Sequence, residues 1–220
     1  MTRRTENLIG ALGRDLKPVK RLPPAGWRAV MWLGIVGFLA AIFVAVAANM
    51  GMFMRRVADP NLALEVVGTF LTGILAVFAA FQLSLPDRSS RWALLPLPSL
   101  LLWIGSSSYT CWRHLIKFGP DGWEMGESAG CLAWIVAFSF PLALTLLALL
   151  RQAKPLTPFR VAAMGGLGVA SISAFLLQFF HPFDVTFMDL GLHLGGVAIV
   201  VIAATVTAQH DPADPRAQAG

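Results

Sequence analysis

Long apolar runs separated by short polar segments dominate the chain, and the length of those runs defines its elements. Ala29 to Met54 is apolar except for Asn49, with Arg28 and Arg55 flanking it. Such a run is long enough to cross a hydrocarbon layer of about 30 Å with some tilt. Five further runs follow, at about Leu62 to Ser84, Trp92 to Ser108, Ala129 to Leu150, Val161 to Phe180 and Leu190 to Ala208. The pattern predicts an all-α integral membrane protein with six transmembrane helices, whose short connections make neighbours antiparallel in one bundle. The expected organisation is a tail over 1–28, a helical membrane domain over 29–208 and a second tail over 209–220.

The first tail follows a different pattern. Leu8, Ile9, Leu12 and Leu16 fall at i, i+1, i+4 and i+8, the spacing of one helical face. Thr5 suits a cap, Glu6 suits the first turn, and Pro18 stops the helix after Lys17. Gly10 and Gly13 weaken this short helix in isolation, so it needs a surface to fold on. The residues alone leave two surfaces open, an anionic membrane leaflet and a groove on a cytosolic protein, with lipid the simpler reading. The tail's length and the long apolar run after it argue against a cleaved signal peptide.

Composition supports the membrane assignment. Of 220 residues, 56% are hydrophobic and 13% charged, where soluble domains carry about 25% charged residues. A soluble domain, a disordered chain and a disulfide-dense mini-domain are thereby excluded. A net charge of +5 would suit a nucleic-acid partner, but in a membrane chain basic residues set orientation, and no direct nucleic-acid contact is expected. Thirteen of the 17 Lys and Arg fall in the two tails and in the loops after the second and fourth runs. Arg55, Arg56, Arg113 and Lys117 make up the other side. The bias puts both termini in the cytoplasm. Trp27, Trp32 and Trp92 then fall near inner ends, and Trp103, Trp112, Trp123 and Trp134 near outer ends.

Within the runs, polar signals are few. Glu65 sits in the outer turn or two of the second span, so a transporter or metal-efflux component is a minority reading. Small residues from Gly165 to Ala174, and Gly191 with Gly195 at GxxxG spacing, mark the last two spans as buried helices. Pro141 and the Pro96/Pro98 pair are expected to kink or locally open spans four and three.

The outer side carries the candidate chemistry. Cys111 closes span three and Cys131 opens span four, bracketing a 19-residue segment, and both thiols are expected to face the oxidising compartment. His114, His181 and Asp184 lie on the same side, with Asp189 and His193 at i, i+4 spacing. Cys111, Cys131, His114, His181 and His193 supply soft and borderline ligands for a transient heavy-metal ion such as zinc, cadmium or copper. The two thiols also suit a dithiol–disulfide cycle. A structural disulfide and bystander cysteines stay open as equally simple readings. A thiol oxidoreductase is the least supported, since no vicinal low-pKa pair or electron-acceptor site is visible.

Three segments carry a resemblance: ENLIGALGRDLKPVKRLPP in the first tail, GCLAWIVAFSFPLALTLLALLRQAKPLTP through the fourth run, and FFHPFDVTFMDLGLH after the fifth. They resemble the NrsF-like six-helix membrane anti-sigma factors, negative regulators of extracytoplasmic-function sigma factors. The resemblance covers the whole chain in layout, and it implies a non-enzymatic protein that holds its sigma factor at the inner membrane. The partner surface for Leu8, Ile9, Leu12 and Leu16 is then the sigma factor. Release under oxidative or heavy-metal stress is implied to run through outer-side cysteines. Cys131 matches one of these. The second is expected immediately before the Pro of the fifth loop, where this chain has His181 before Pro182. Three readings follow: Cys111 supplies the second thiol, Cys131 and His181 share a metal, or sensing is lost.

Overall fold

In a computed structural model the chain is described at Thr5, Gly10 and residues 21–119, 125–180 and 187–209. Among these residues there are seven α-helices, one 3-10 helix and no strand. The helices are α1 (Ala25–Ala47), α2 (Met50–Val57), α3 (Pro60–Leu83), α4 (Leu97–Phe118), α5 (Met125–Arg151), α6 (Pro158–Leu177) and α7 (Phe187–Gln209), with the 3-10 helix at Ser90–Leu94 before α4. The first tail's Leu8, Ile9, Leu12 and Leu16 lie outside the described residues, as does the tail from residue 210 onward.

Two boundaries differ from the sequence expectation. The first apolar run is not one helix to Met54: α1 ends at Ala47, Ala48 is extended, and the Asn49 side chain accepts from Met52 N at 3.0 Å to start α2. A carboxamide in an apolar run competes for backbone donors, and here it breaks the helix. The third element is displaced toward the C-terminus. Trp92 sits in the 3-10 helix, Pro96 and Pro98 open α4 instead of kinking it, and α4 continues to Phe118. Proline in the first turn loses no intrahelical bond, because that N–H has no acceptor there. Helices α4 and α5 therefore absorb most of the segment between Cys111 and Cys131, which is not a long loop. Pro141 lies inside α5, and the helix runs through it.

The centre of the bundle is α6 against α3. A Cβ built on Gly73 would stand 2.8 Å from Ile172 Cγ1 and 3.4 Å from the Gly168 carbonyl, and one on Gly168 would stand 3.3 Å from the Gly73 carbonyl. The two backbones cross in near contact, as small residues allow. On its other side α6 meets α7, where a Cβ on Gly166 would fall 2.8 Å from Val201 Cα. The expected GxxxG contact of α7 is not formed in this way: Cβ atoms at Gly191 and Gly195 would meet nothing within 4 Å among the described residues, and Gly196 is the position facing Leu132 and Ile135 of α5. Helix α4 runs antiparallel to α3, with Gly68 against Trp103 and Thr72 Oγ1 donating to Ser99 Oγ at 3.1 Å.

Two of the tryptophans expected at an outer interface are packing residues. Trp103 is buried with Ile135, Ala174 and Leu177, and Trp134 stacks on Phe138 with ring centroids 4.1 Å apart.

The outside of the bundle is apolar. Val30, Ile35, Phe38, Leu39 and Val46 of α1, Leu101 and Ile116 of α4, Phe140 and Leu144 of α5 and Ile202 of α7 are all exposed. Apolar surface on this scale is untenable in water and suits a lipid solvent. Helices α1, α3 and α6, with Leu132–Arg151 of α5, are long and apolar enough to cross a membrane, and Leu194–Thr207 is a shorter apolar stretch.

Candidate functional site

The helix ends sort into two groups. At the first, the start of α1 meets the ends of α5 and α3: Arg28 donates to the Leu149 carbonyl and lies 5.2 Å over the Phe81 ring, and Gly26 faces Phe78. Arg151 at the end of α5 donates to the Thr207 carbonyl near the end of α7 at 2.6 Å. Both arginines thus satisfy carbonyls at helix C-termini, where the dipole favours a cation. Arg28, grouped with the solvated orientation charges on sequence grounds, is only 6% exposed. The chain enters α1 and leaves α7 at this same end.

The opposite end gathers the other candidates. Asp59 caps α3, its Oδ1 accepting from Asn61 N at 2.9 Å and its Oδ2 from Arg113 Nη1 of α4 at 3.2 Å. The Asn61 N–H, with help from Arg113, holds this carboxyl below the ordinary carboxylate range. Farther in, Glu65 is 3% exposed. Gln178, at the C-cap of α6, donates to Glu65 Oε1 through Nε2 at 3.1 Å. The Ser107 hydroxyl of α4 faces the carboxylate without closing a bond of normal geometry, and the Arg56 charge of α2 also acts on it. Sequence reasoning noticed Glu65 as an end-of-span residue, yet it lies inside the bundle. Its partners Gln178 and Ser107 went unnoticed, although an amide at the end of an apolar run is the expected companion of a buried acid.

Cys111 follows Ser107 by one helical turn and is 1% exposed. It does not face solvent at the end of a span, because α4 carries on for seven residues beyond it. Cys131 and His114 lie in α5 and α4, and His193 in α7, but their side chains are outside the described residues, as is the whole of His181. No group of three His, Cys, Asp or Glu able to hold a metal occurs among the described residues.

The flanks of Cys131 and His181 do come together. Trp134, three residues after Cys131, and Phe180, immediately before His181, have ring centroids 5.0 Å apart. Phe43 of α1 joins them, 5.9 Å from Trp134 and 5.1 Å from Phe180. Nearby, Phe53 of α2 stacks on Phe179 at 4.2 Å. Aromatic packing of this kind fixes the approach of the α6 C-terminus to α1, α2 and α5.

No curated protein and no solved structure matches the chain. The family model described as "NrsF: Negative regulator of sigma F" matches residues 12–210, nearly the whole length, including Cys131, the Glu65 cluster and all seven helices. An all-α chain with lipid-suited outer faces, matched from its first tail to the end of its last helix, thus belongs to the NrsF family of negative regulators of sigma F.

Proposed function

We propose that this chain is a six-span anti-sigma factor of the bacterial inner membrane, both termini cytoplasmic, that holds an extracytoplasmic-function sigma factor through its first tail. The sigma factor docks on Leu8, Ile9, Leu12 and Leu16, an apolar helical face of the kind that fills a groove on a partner. The basic bias and the meeting of chain entry and exit at one end of the bundle support this sidedness. The protein acts by binding and carries out no catalysis.

The observation that carries the sensing half of the proposal is the Trp134–Phe180 contact. It favours Cys131 and His181 as a pair that senses oxidant or heavy metal, because a thiolate and an imidazole suit a zinc- or cadmium-like ion. Burial of Cys111 makes it the weaker candidate for the second sensor group. Metal or oxidant at that end then favours a second packing of the helices with lower sigma affinity.

The docking claim is tested by replacing Leu12 and Leu16 with Asp. Burying an unpaired charge costs several kcal/mol, enough to abolish a modest helix-in-groove contact. Sigma-dependent transcription is expected to become constitutive while the protein still inserts. Intact repression by properly inserted protein would move docking elsewhere, for instance to residues 151–160.

A further inference from the structure

Of the seven methionines after Met1, five lie at the end of the bundle that holds Cys131: Met50, Met52 and Met54 in α2, Met125 as the first residue of α5 and Met188 as the second of α7. The three in α2 belong to a helix with no buried residue. Met50 and Met54 stand one helical turn apart, so they share a face, and they are 43% and 57% exposed. An exposed apolar edge has no packing need for methionine, which leucine would replace at little cost. What methionine adds there is a thioether within reach of an oxidant. Met52 lies about 200° around the helix from Met50, so the three sulfurs do not share a face as the ligands of one soft metal ion would. Oxidation requires only that each sulfur be reached. Between Met50 and Met54 in sequence, Phe53 stacks on Phe179 of the α6 C-terminus with ring centroids 4.2 Å apart, two residues before His181.

We propose that Met50 and Met54 form an oxidation site, at which a hypohalous acid converts the thioethers to sulfoxides and loosens the hold of α2 on the α6 C-terminus. The sulfur lone pair attacks the halogen, the halogen–oxygen bond breaks and hydroxide leaves. Water then displaces halide from the sulfur and gives up its two protons, one of which neutralises the hydroxide. Sulfur is oxidised by two electrons, the halogen is reduced to halide, and methionine sulfoxide reductases reverse the modification. A sulfoxide is polar where the thioether was apolar, so the Met50–Met54 edge no longer suits an apolar surround. Phe53 carries the change to Phe179, at the root of His181. The effect on signalling rests on the sensing role proposed for Cys131 and His181 and adds no separate route of release, whereas the modification itself requires neither residue.

The test treats the full chain in lipid nanodiscs with dilute hypochlorous acid, locates sulfoxides by peptide mass spectrometry and follows amide hydrogen exchange. Met50 and Met54 are expected to be oxidised about tenfold faster or more than Met164, which packs against the core. Rates no faster than at Met164 would overturn the site. Exchange across residues 175–180 is then expected to quicken severalfold in the oxidised wild type. It stays unchanged in the equally treated Met50→Leu, Met54→Leu variant, which keeps the apolar bulk. Equal quickening in both proteins, or none in the oxidised wild type, would overturn the link from α2 to α6. Neither measurement uses sigma factor or a metal ion, so its outcome is separate from whether Cys131 and His181 sense.

Discussion

Asp59 shows how much one carboxylate does at the edge of the bundle. It caps α3 through Asn61 and pairs with Arg113 of α4 at 3.2 Å, so it fixes the relative height of two helices. Its carboxyl titrates below the ordinary carboxylate range, with the Asn61 N–H as the largest cause. A group whose folded value is depressed stabilises the fold above its unfolded value and loses that contribution as pH falls through the folded one. The melting-temperature gap between wild type and Asp59→Asn in detergent is therefore expected to be constant near neutrality and to close in acid. A gap independent of pH would mean the cap contributes nothing through its charge. Because both partners are partly solvated, the ion pair itself is a minor part of the gap. Asn49 and Glu65 were visible in the sequence as polar residues in apolar runs. Their roles were not, because run length reports hydrophobicity and says nothing of which backbone donor an amide captures or which neighbour an acid faces.

At the scale of elements, α6 is the helix that its sequence describes best. Its small residues predicted close approach, and the Gly73–Gly168 crossing is that approach. Among the described residues no such approach is found at Gly191 and Gly195, since spacing marks a position as small without saying whether a neighbour is opposite. The contrast is measurable. Alanine at Gly168 would bring its Cβ to 2.7 Å from Val77 Cγ2 and 3.0 Å from Val77 N, and overpacking of this kind costs about 1–3 kcal/mol. Alanine at Gly191 meets nothing within 4 Å among the described residues and gains about 1 kcal/mol in helix propensity. Thermal unfolding in detergent is expected to show Gly168→Ala destabilised and Gly191→Ala equal to or above wild type. The reverse order would put the tight contact at Gly191 and not at Gly168. The α4 boundary was illegible for another reason: Pro96 and Pro98 read as interruptions of a span beginning at Trp92, and the same prolines are favourable once the helix starts at Leu97.

At the scale of the whole molecule, the proposed function needs two ends with different work, sigma binding at one and sensing at the other. Reporter fusions after Ser84 and after Gly220 are expected to report cytoplasm, and fusions within 119 to 127 the opposite side. A C-terminus outside the cytoplasm would remove the sidedness on which sensing depends. The all-α architecture and the family were legible from run lengths and from the GCLAWI and FFHPF segments. The meeting of Trp134 with Phe180 was not, since aromatic residues 46 positions apart carry no pairwise signal in a single sequence. The central claim is that a stress signal at Cys131 and His181 lowers sigma affinity at the other end. Its most direct test is the affinity of purified sigma factor for the nanodisc-embedded chain, measured with and without cadmium or oxidant. The account predicts a fall of about tenfold or more, a coupling of about 1.4 kcal/mol, abolished by Cys131→Ser and by His181→Ala. Unchanged affinity under both cadmium and oxidant, in protein that binds sigma normally at rest, would contradict it.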